Sequence, residues 1–493
     1  MGEHHKPRPA SKSPCRIRGA NVYAPPVDVA QRTRVPAGVA AGHPATAGAA
    51  AEILRAGGSA ADAAVAAVLA ACVAETVFTG LGGGGFATHY DAATGDVTCL
   101  DFFVAVPGLG ADAGPGPMTT LSVAFGSVPQ AFSIGAPSVA VPGVPAGCAE
   151  VHRRWGRLPW PDLVAPALAL AQRGVLLPAT HATVLDLIAG GLAVGPGAAV
   201  YAPDGTLATA GATLLHPGLD RMLALLAGEG PAAFYRGPVA DALVGAVRAG
   251  GGVLTRDDLA AYAVQEVPAG AARFGTATVR ARTDLNRCRD AFAALPDDLA
   301  DLSPPDRAVA VARVLGGPDL LGDTTNVSVV DPDGNACVVT TTMGLGSSVW
   351  IPGYGVHLNS MLGEGELLVG PQLPGARMGS MMCPLVVTDD AGLVAAAGAA
   401  GASRIRTALV HTLVGTVAGG LPAAEAVARP RTHPVGPLLH AEPGLDPEVA
   451  ERLEQDWDLH VWPDRDAYFG GASVVGRTGA GADPRRDGAA SEI

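Results

Sequence analysis

The alternation of apolar and polar positions changes character several times along the chain. From His43 to Ala56 an alanine-rich stretch predicts a helix, and Gly57-Gly58 supplies a left-handed stop. Ser59 stands where the next helix needs an N-cap, with Asp62 three residues on in a capping-box arrangement. The helix that follows, Ala60 to Ala74, is apolar nearly all round and therefore belongs inside the core; the run stops at Glu75. Gly80 to Phe86 is almost all glycine and feeds a strand from Ala87 to Asp91, a turn at Thr94-Gly95 and a second strand ending at Phe102. Residues 145–180 and 216–265 read as helical, anchored by Trp155, Leu158, Trp160 and Leu163. Residues 265–323 mix Arg, Asp and Ala without a clear period, and surface helices and loops are expected there.

At Thr324 the period becomes two. Thr324 to Val330 is β-branched and alternating, Asp331-Pro332-Asp333-Gly334-Asn335 is turn chemistry, and Ala336 to Thr342 is β-prone again, which together predict a hairpin. Further strands are expected at Leu385–Thr388 and Leu393–Ala397, and a helix from about Ser403 to Ala418. Hairpins rather than strict βαβ units, with helices in both halves, predict an α/β sandwich built on antiparallel sheets.

Composition then excludes several classes. Apolar residues make up 48% and charged ones 16%, which suits a large buried core and not a disordered chain. A net charge of −13, with no Lys/Arg run longer than a pair, argues against a nucleic-acid partner. Seven cysteines lie scattered without a C-x-x-C, so reduced thiols are expected rather than a disulfide framework or a zinc site. Residues 1–36 are polar and proline-rich and read as a loose arm with no apolar signal region; a soluble, cytoplasmic protein without a membrane partner is expected. The twelve histidines form no His-x-His or His-Glu-x-x-His arrangement, so no metal is expected. The glycine run lacks the Lys-Ser/Thr of a phosphate loop and does not open a helix, so tight backbone packing is its better reading. No cofactor is expected.

A turn centred on Asp333 would set residues whose numbers sum to 666 opposite each other, so Thr324 would face Thr342 at the hairpin's open end. A cross-strand Thr–Thr pair that merely stabilises the sheet would explain this hairpin on its own. The wider sequence adds more. Asp323 to Ala336 resembles the start of the small subunit in the γ-glutamyltranspeptidase family. Gly42-His43-Pro44, the run from Gly57 to Ala64, Gly80 to Phe86, Val141-Pro142-Gly143, Gly156 to Trp160, Gly398 to Ile405 and Asp483 to Gly488 resemble that family's other motifs in the same order. The resemblance covers most of residues 38–490 apart from 270–322.

It implies the four-layer αββα fold of N-terminal-nucleophile hydrolases, with cleavage between Asp323 and Thr324. The products would be a large chain, 37–323 with its arm, and a small chain, 324–493, intertwined in one domain; whether two such heterodimers associate stays open. A threonine hydroxyl is a weak nucleophile, and the α-amino group freed by cleavage, with an ordinary pKa of about 8, is a suitable base. By resemblance Thr342 orients Thr324, Asn335 supports the same corner, and the amides of Gly401 and Ala402 form the oxyanion hole.

The departures from the family gather where it grips a γ-glutamyl substrate. Phe103 stands in place of the arginine that pairs with the substrate carboxylate, and Gly344 in place of an asparagine. Met361 to Glu364 replaces Gln-x-x-Asp, Ser380-Met381 the paired serines, and Asn326 a histidine; the Pro-Ser-Ser-Gly-Gly stretch expected near 275–290 is absent. Three readings follow: a hydrolase or acyltransferase of altered specificity on a small-molecule substrate; a carbon–carbon bond hydrolase of the kind found in assembly of alkylproline-type antibiotic precursors; and an uncleaved, silent relative. The intact Thr324, Thr342 and Gly401 argue against the third.

Overall fold

A computed structural model describes residues 34–125, 128–316 and 324–493, without the side chains of 124–128. Most of the expected N-terminal arm and Asp323 of the expected cleavage point lie outside the described residues. The arm's described end departs from that expectation, because Val35 is buried against Tyr90 and Val338.

Thirteen strands carry the two main sheets: β1 (Gly38–Ala41), β2 (Gly84–Tyr90), β3 (Val97–Phe102), β4 (Gln265–Val267), β5 (Ala269–Phe274), β6 (Ala277–Arg282), β7 (Thr325–Val330), β8 (Ala336–Thr342), β9 (Leu385–Asp389), β10 (Gly392–Ala400), β11 (Gly471–Gly476), β12 (Gly479–Ala482) and β13 (Ala489–Glu492). The first sheet runs β13-β1-β7-β8-β2-β3-β4 and the second β12-β11-β10-β9-β6-β5. Every neighbouring pair is antiparallel. The sheets meet where β7 packs on β10 and β11. Helices α1 (Pro44–Arg55) and α2 (Ala60–Ala74) cover the first sheet, and α3 (Arg404–Leu413) covers the second. This is the αββα sandwich.

Residues 265–282 depart from the surface helices and loops expected for that stretch. Instead they form β4, β5 and β6. The inward positions Ala277, Val279 and Ala281 do alternate, but alanine is a poor β-former, and the strand ends on a charged Arg282 that is buried as well. Helices do appear at Cys288–Ala293 and Pro304–Leu315.

The helix pair forms as its caps dictate. His43 Nδ1 accepts from the Ala45 amide, and the capping box of Ser59 and Asp62 is complete in both directions. All fifteen residues of α2 are buried. The Asp62 carboxylate also accepts from the amides of Arg157 at 2.8 Å and Leu158 at 3.2 Å, tying the helix to the next layer. Asp331, at the hairpin turn, accepts from the Ala60 amide at 3.0 Å, so the hairpin caps the same helix end.

The glycine run lets backbones touch. A Cβ on Gly83 would stand 2.2 Å from the Thr342 carbonyl oxygen, which no side chain tolerates. The six described cysteines are buried and unbridged. Among the described residues no helix is long and apolar enough to cross a membrane.

Asp62→Ala removes the acceptor for three amides, the buried one of Ser59 and the partly buried ones of Arg157 and Leu158, and should lower stability by about 3 kcal/mol in urea unfolding. Asp333→Ala, which loses only an exposed pairing with Arg157, should change it by under about 1 kcal/mol; equal effects would refute the capping account.

Candidate active site

The β7–β8 ladder pairs Thr325 with Thr341 and Val330 with Ala336, the register read from the sequence. Continued by one residue it sets Thr324, 3% exposed, opposite Thr342, which itself pairs with Gly84 of β2. Thr342 Oγ1 accepts from the Gly344 amide at 3.0 Å and so shapes the chain as it leaves the sheet. Asn326, next on β7, sits between the hydroxyls of Ser328 and Thr340, and a Cβ on Gly398 of β10 would strike its side chain at 2.0 Å. The Asn326 side chain of one sheet is thus pressed against the Gly398 backbone of the other, two residues from Thr324.

Thr324 opens on a small recess of about 10 Å³ lined by Gly42, Glu75, Ala400, Ala472, Asp483 and Arg486, among others. Its far wall is held by a buried charge network. Asp483 binds both Arg431 and Arg485, Arg485 also binds Glu442, and Asp483 accepts from the Ala472 amide at 2.8 Å. Burial alone would raise the Asp483 carboxyl, but the two guanidinium groups hold it below the usual carboxylate range.

Gly401 and Ala402 follow the Ala400 end of β10 with φ of 109° and 49°. A left-handed alanine is strained, and such strain gathers at functional turns. The turn delivers the chain into α3, whose first ladder bonds run from Arg404 to the Gly401 carbonyl and from Ile405 to the Ala402 carbonyl. The amides of Gly401 and Ala402 therefore lie at the positive head of the helix, outside its ladder. Arg486 connects this turn to the recess, its Nη2 lying 3.5 Å from where a Gly401 Cβ would be.

One expected member is not brought in. Asn335 lies at the other end of the hairpin, seven residues along the strand and about 23 Å from Thr324. There its amide bonds the Asp331 carboxylate and the Ala92 backbone, so it stabilises the turn and takes no part in the Thr324–Thr342 end.

The expected substrate-binding residues form two groups. Phe103 is fully buried, stacks on Phe86 at 5.5 Å and shares an apolar cluster with Met361, Met381 and Ala402. Ser380 adjoins it; its hydroxyl accepts from the Met382 amide, and its own amide donates to Asp284 at 2.8 Å. Gly344 and Glu364 meet: at Gly344, φ 65°, a Cβ would lie 2.1 Å from Glu364 Oε1, so the longer acid fills the space an asparagine would need.

Two residues escaped the sequence reading. Arg282 is 5% exposed, lies 3.7 Å over the Phe86 ring and donates to the Met382 carbonyl at 3.0 Å. Glu75 is 1% exposed, and burial pushes its carboxyl from the ordinary 4.5 up to about 7, partly offset by hydroxyl donors and Arg486. The signal for Glu75 was there: it is the one acid ending an apolar helix.

With this geometry in view, comparison with known proteins decides the family. The γ-glutamyltranspeptidase family model matches residues 46–283 and 303–493. The chain belongs to the γ-glutamyltranspeptidase family. It is similar to the acylase ACY 1 proenzyme of Pseudomonas sp. (strain SE83), 30% identical over 483 residues that cover 84% of this chain and 85% of that protein. It is similar also to the glutathione hydrolase proenzyme of Pseudomonas aeruginosa, 30% identical across 78% of this chain and 80% of that one. In fold it resembles the crystal structure of cephalosporin acylase from Bacillus halodurans, with a TM-score of 0.75, 22% identity and coverage of 93% of this chain and 96% of that one. The chain is accordingly an enzyme of the hydrolase and transferase class, with an N-terminal-nucleophile hydrolase fold.

Because the Glu75 carboxyl titrates higher folded than unfolded, stability is greatest below about pH 4.5 as far as this group is concerned. It is lost as pH rises through about 7. Glu75→Gln removes this term. The variant's unfolding free energy should gain on wild type between those limits by a few kcal/mol at most and run parallel above them. A constant difference from pH 4 to pH 8 would show that the carboxyl does not titrate there.

Proposed function

We propose that the chain is a self-cleaving acylase-type hydrolase in which Thr324, freed as a new amino terminus, attacks the carbonyl of an apolar acyl substrate. The observation that carries this is the placement of Thr324 opposite Thr342, in one recess with the end of β10 that leads into the Gly401-Ala402 turn. Cleavage of the Asp323–Thr324 bond leaves an α-amino group on the residue whose hydroxyl must lose a proton. The amine takes that proton as Oγ1 adds to the carbonyl, and the Gly401 and Ala402 amides stabilise the oxyanion. The proton then goes to the leaving amine as the scissile bond breaks. Water repeats the sequence on the threonine ester, or a second amine accepts the acyl group. The proenzyme names of both relatives support the processed, two-chain form.

The apolar wall supports the altered specificity. A γ-glutamyl group carries a free carboxylate and ammonium, each needing charged partners worth about 1.5–3 kcal/mol. Here Phe103, Met361 and Met381, buried together in one apolar cluster, stand where the family's charged and polar grips would fall, and Gly344 has no side chain. A neutral or cyclic acyl group suits such a wall, in keeping with the acylase relative. Carbon–carbon hydrolysis beside a ketone is the second reading; it uses the same attack on a carbonyl and is favoured by the same loss of carboxylate grips.

Thr324→Ala should remain one chain on a denaturing gel and be inactive, while wild type gives two chains with Thr324 first by N-terminal sequencing. A new terminus elsewhere would refute the nucleophile. For the matured enzyme, kcat/KM on a γ-glutamyl anilide should fall below about 10⁴ M⁻¹s⁻¹ and be exceeded at least tenfold by an anilide of an uncharged cyclic acid. The reverse order would refute the apolar specificity. Turnover of a β-diketone, but of neither anilide, would select the carbon–carbon reading.

A further inference from the structure

Glu75 is buried at the end of α2, and no step described above uses it. Its two oxygens are held by threonine hydroxyls from different layers. Thr46 Oγ1 of α1 donates to Oε1 at 2.6 Å, and Thr325 Oγ1 of β7 donates to Oε2. Thr325 follows Thr324 directly, so this second bond fixes the chain one residue from the nucleophile. Room for it is kept by Gly42, where a Cβ would lie 2.6 Å from Glu75 Oε2 and 2.8 Å from Thr325 Oγ1. Glu75 and Thr324 line the same recess.

The charged and titratable groups around Glu75 are few. Arg486 faces it from across the recess, with its guanidinium over the Phe78 ring at 4.7 Å. Asp483 lines the recess too, but Arg431 and Arg485 bind it. Cys72, one turn back on α2, is a thiol pushed well above its usual range by burial. Behind Arg486, burial lowers His181 to about 3 and also lowers His43, so neither adds charge near neutral pH. A glutamine could bridge two threonine hydroxyls without a carboxylate's desolvation cost, so hydrogen bonding alone does not explain an acid here.

We infer that Glu75 is a positioning residue for the Thr324 reaction: through Thr325 it fixes the nucleophile's backbone, and its carboxylate supplies the negative charge facing the amino group that cleavage releases. The inference rests on Thr324 as nucleophile. An anion beside that amine favours its protonated form and so sets the pH at which the amine becomes a base.

The test follows acylation by p-nitrophenyl acetate, read as the mass gain on the Thr324 peptide, across pH for matured wild type, Glu75→Gln and Thr325→Val, with Thr324→Ala as reference. Glu75→Gln should mature and lose about tenfold in the saturating rate with half-saturation changed less than about twofold. Its acidic limb should move about one pH unit lower, because the amine has lost its anionic neighbour. Thr325→Val should slow by a similar factor with the limb unmoved. A wild-type rate and limb in Glu75→Gln, or a rate loss without a shift, would overturn the inference. If Glu75→Gln fails to mature, Thr325→Val decides: a tenfold loss upholds the positioning role, and a wild-type rate overturns it. Modification of Thr324→Ala at the same peptide would instead sink the nucleophile assignment and leave Glu75 aside.

Discussion

A slip of one residue between β7 and β8 would turn every side chain of the hairpin to the opposite face, and three buried contacts oppose it. At the closed end Asp331 accepts from the amides of Asp333 and Asn335 and from Ala60 of α2, so the turn is bound to a helix that cannot move. Near the open end, Asn326 bridges to Thr340 and abuts Gly398 of the second sheet. At the open end the Thr342 carbonyl lies where only glycine fits on the neighbouring chain. The positions of Thr324, Thr342 and the strained Ala402 turn all depend on this register.

The buried acids around that frame divide by how their charge is met. Asp62 and Asp331 accept several backbone amides, and Asp483 lies between two guanidinium groups. Such groups are costly to strip of partners, and they hold the layers in one arrangement. Glu75 has only two hydroxyl donors and a more distant arginine, so its ionised form is poorly compensated. A fold that saturates Asp331 and Asp483 leaves Glu75 half-saturated beside Thr324. Functional sites often carry this kind of departure from local consistency.

What was legible in the sequence was what local rules determine. The capping box at Ser59, the all-apolar α2, the Asp-Pro-Asp-Gly-Asn turn and the ladder register each follow from a few neighbouring residues. The strands over 265–282 were not legible, because their inward alanines carry little β-preference and their pairing partners, β9 and β3, lie far away in the chain. Asn335 is a different case: the resemblance put it at the Thr324 corner, whereas the hairpin register sets it opposite Asp331 at the turn, as far as possible from the open end. Arg282 was invisible because nothing local marks an arginine that will stack on Phe86.

The packing around Phe103 and Gly344 also limits what single substitutions there can do. Phe103 stacks on Phe86, and Arg282 already lies over that same ring, so an arginine at 103 would bring a second buried guanidinium beside the first. An asparagine at 344 would need a left-handed backbone and the space that Glu364 occupies. These substitutions are coupled through shared volume, and their effects should not add. The Thr324–Thr342 end of the hairpin is held by backbone contacts and buried capping groups, whereas Phe103, Met361 and Met381 belong to the wider apolar core and share it with Ala402. Changes in the cluster around Phe103 therefore leave the β7–β8 register, and with it the position of Thr324, to contacts of their own.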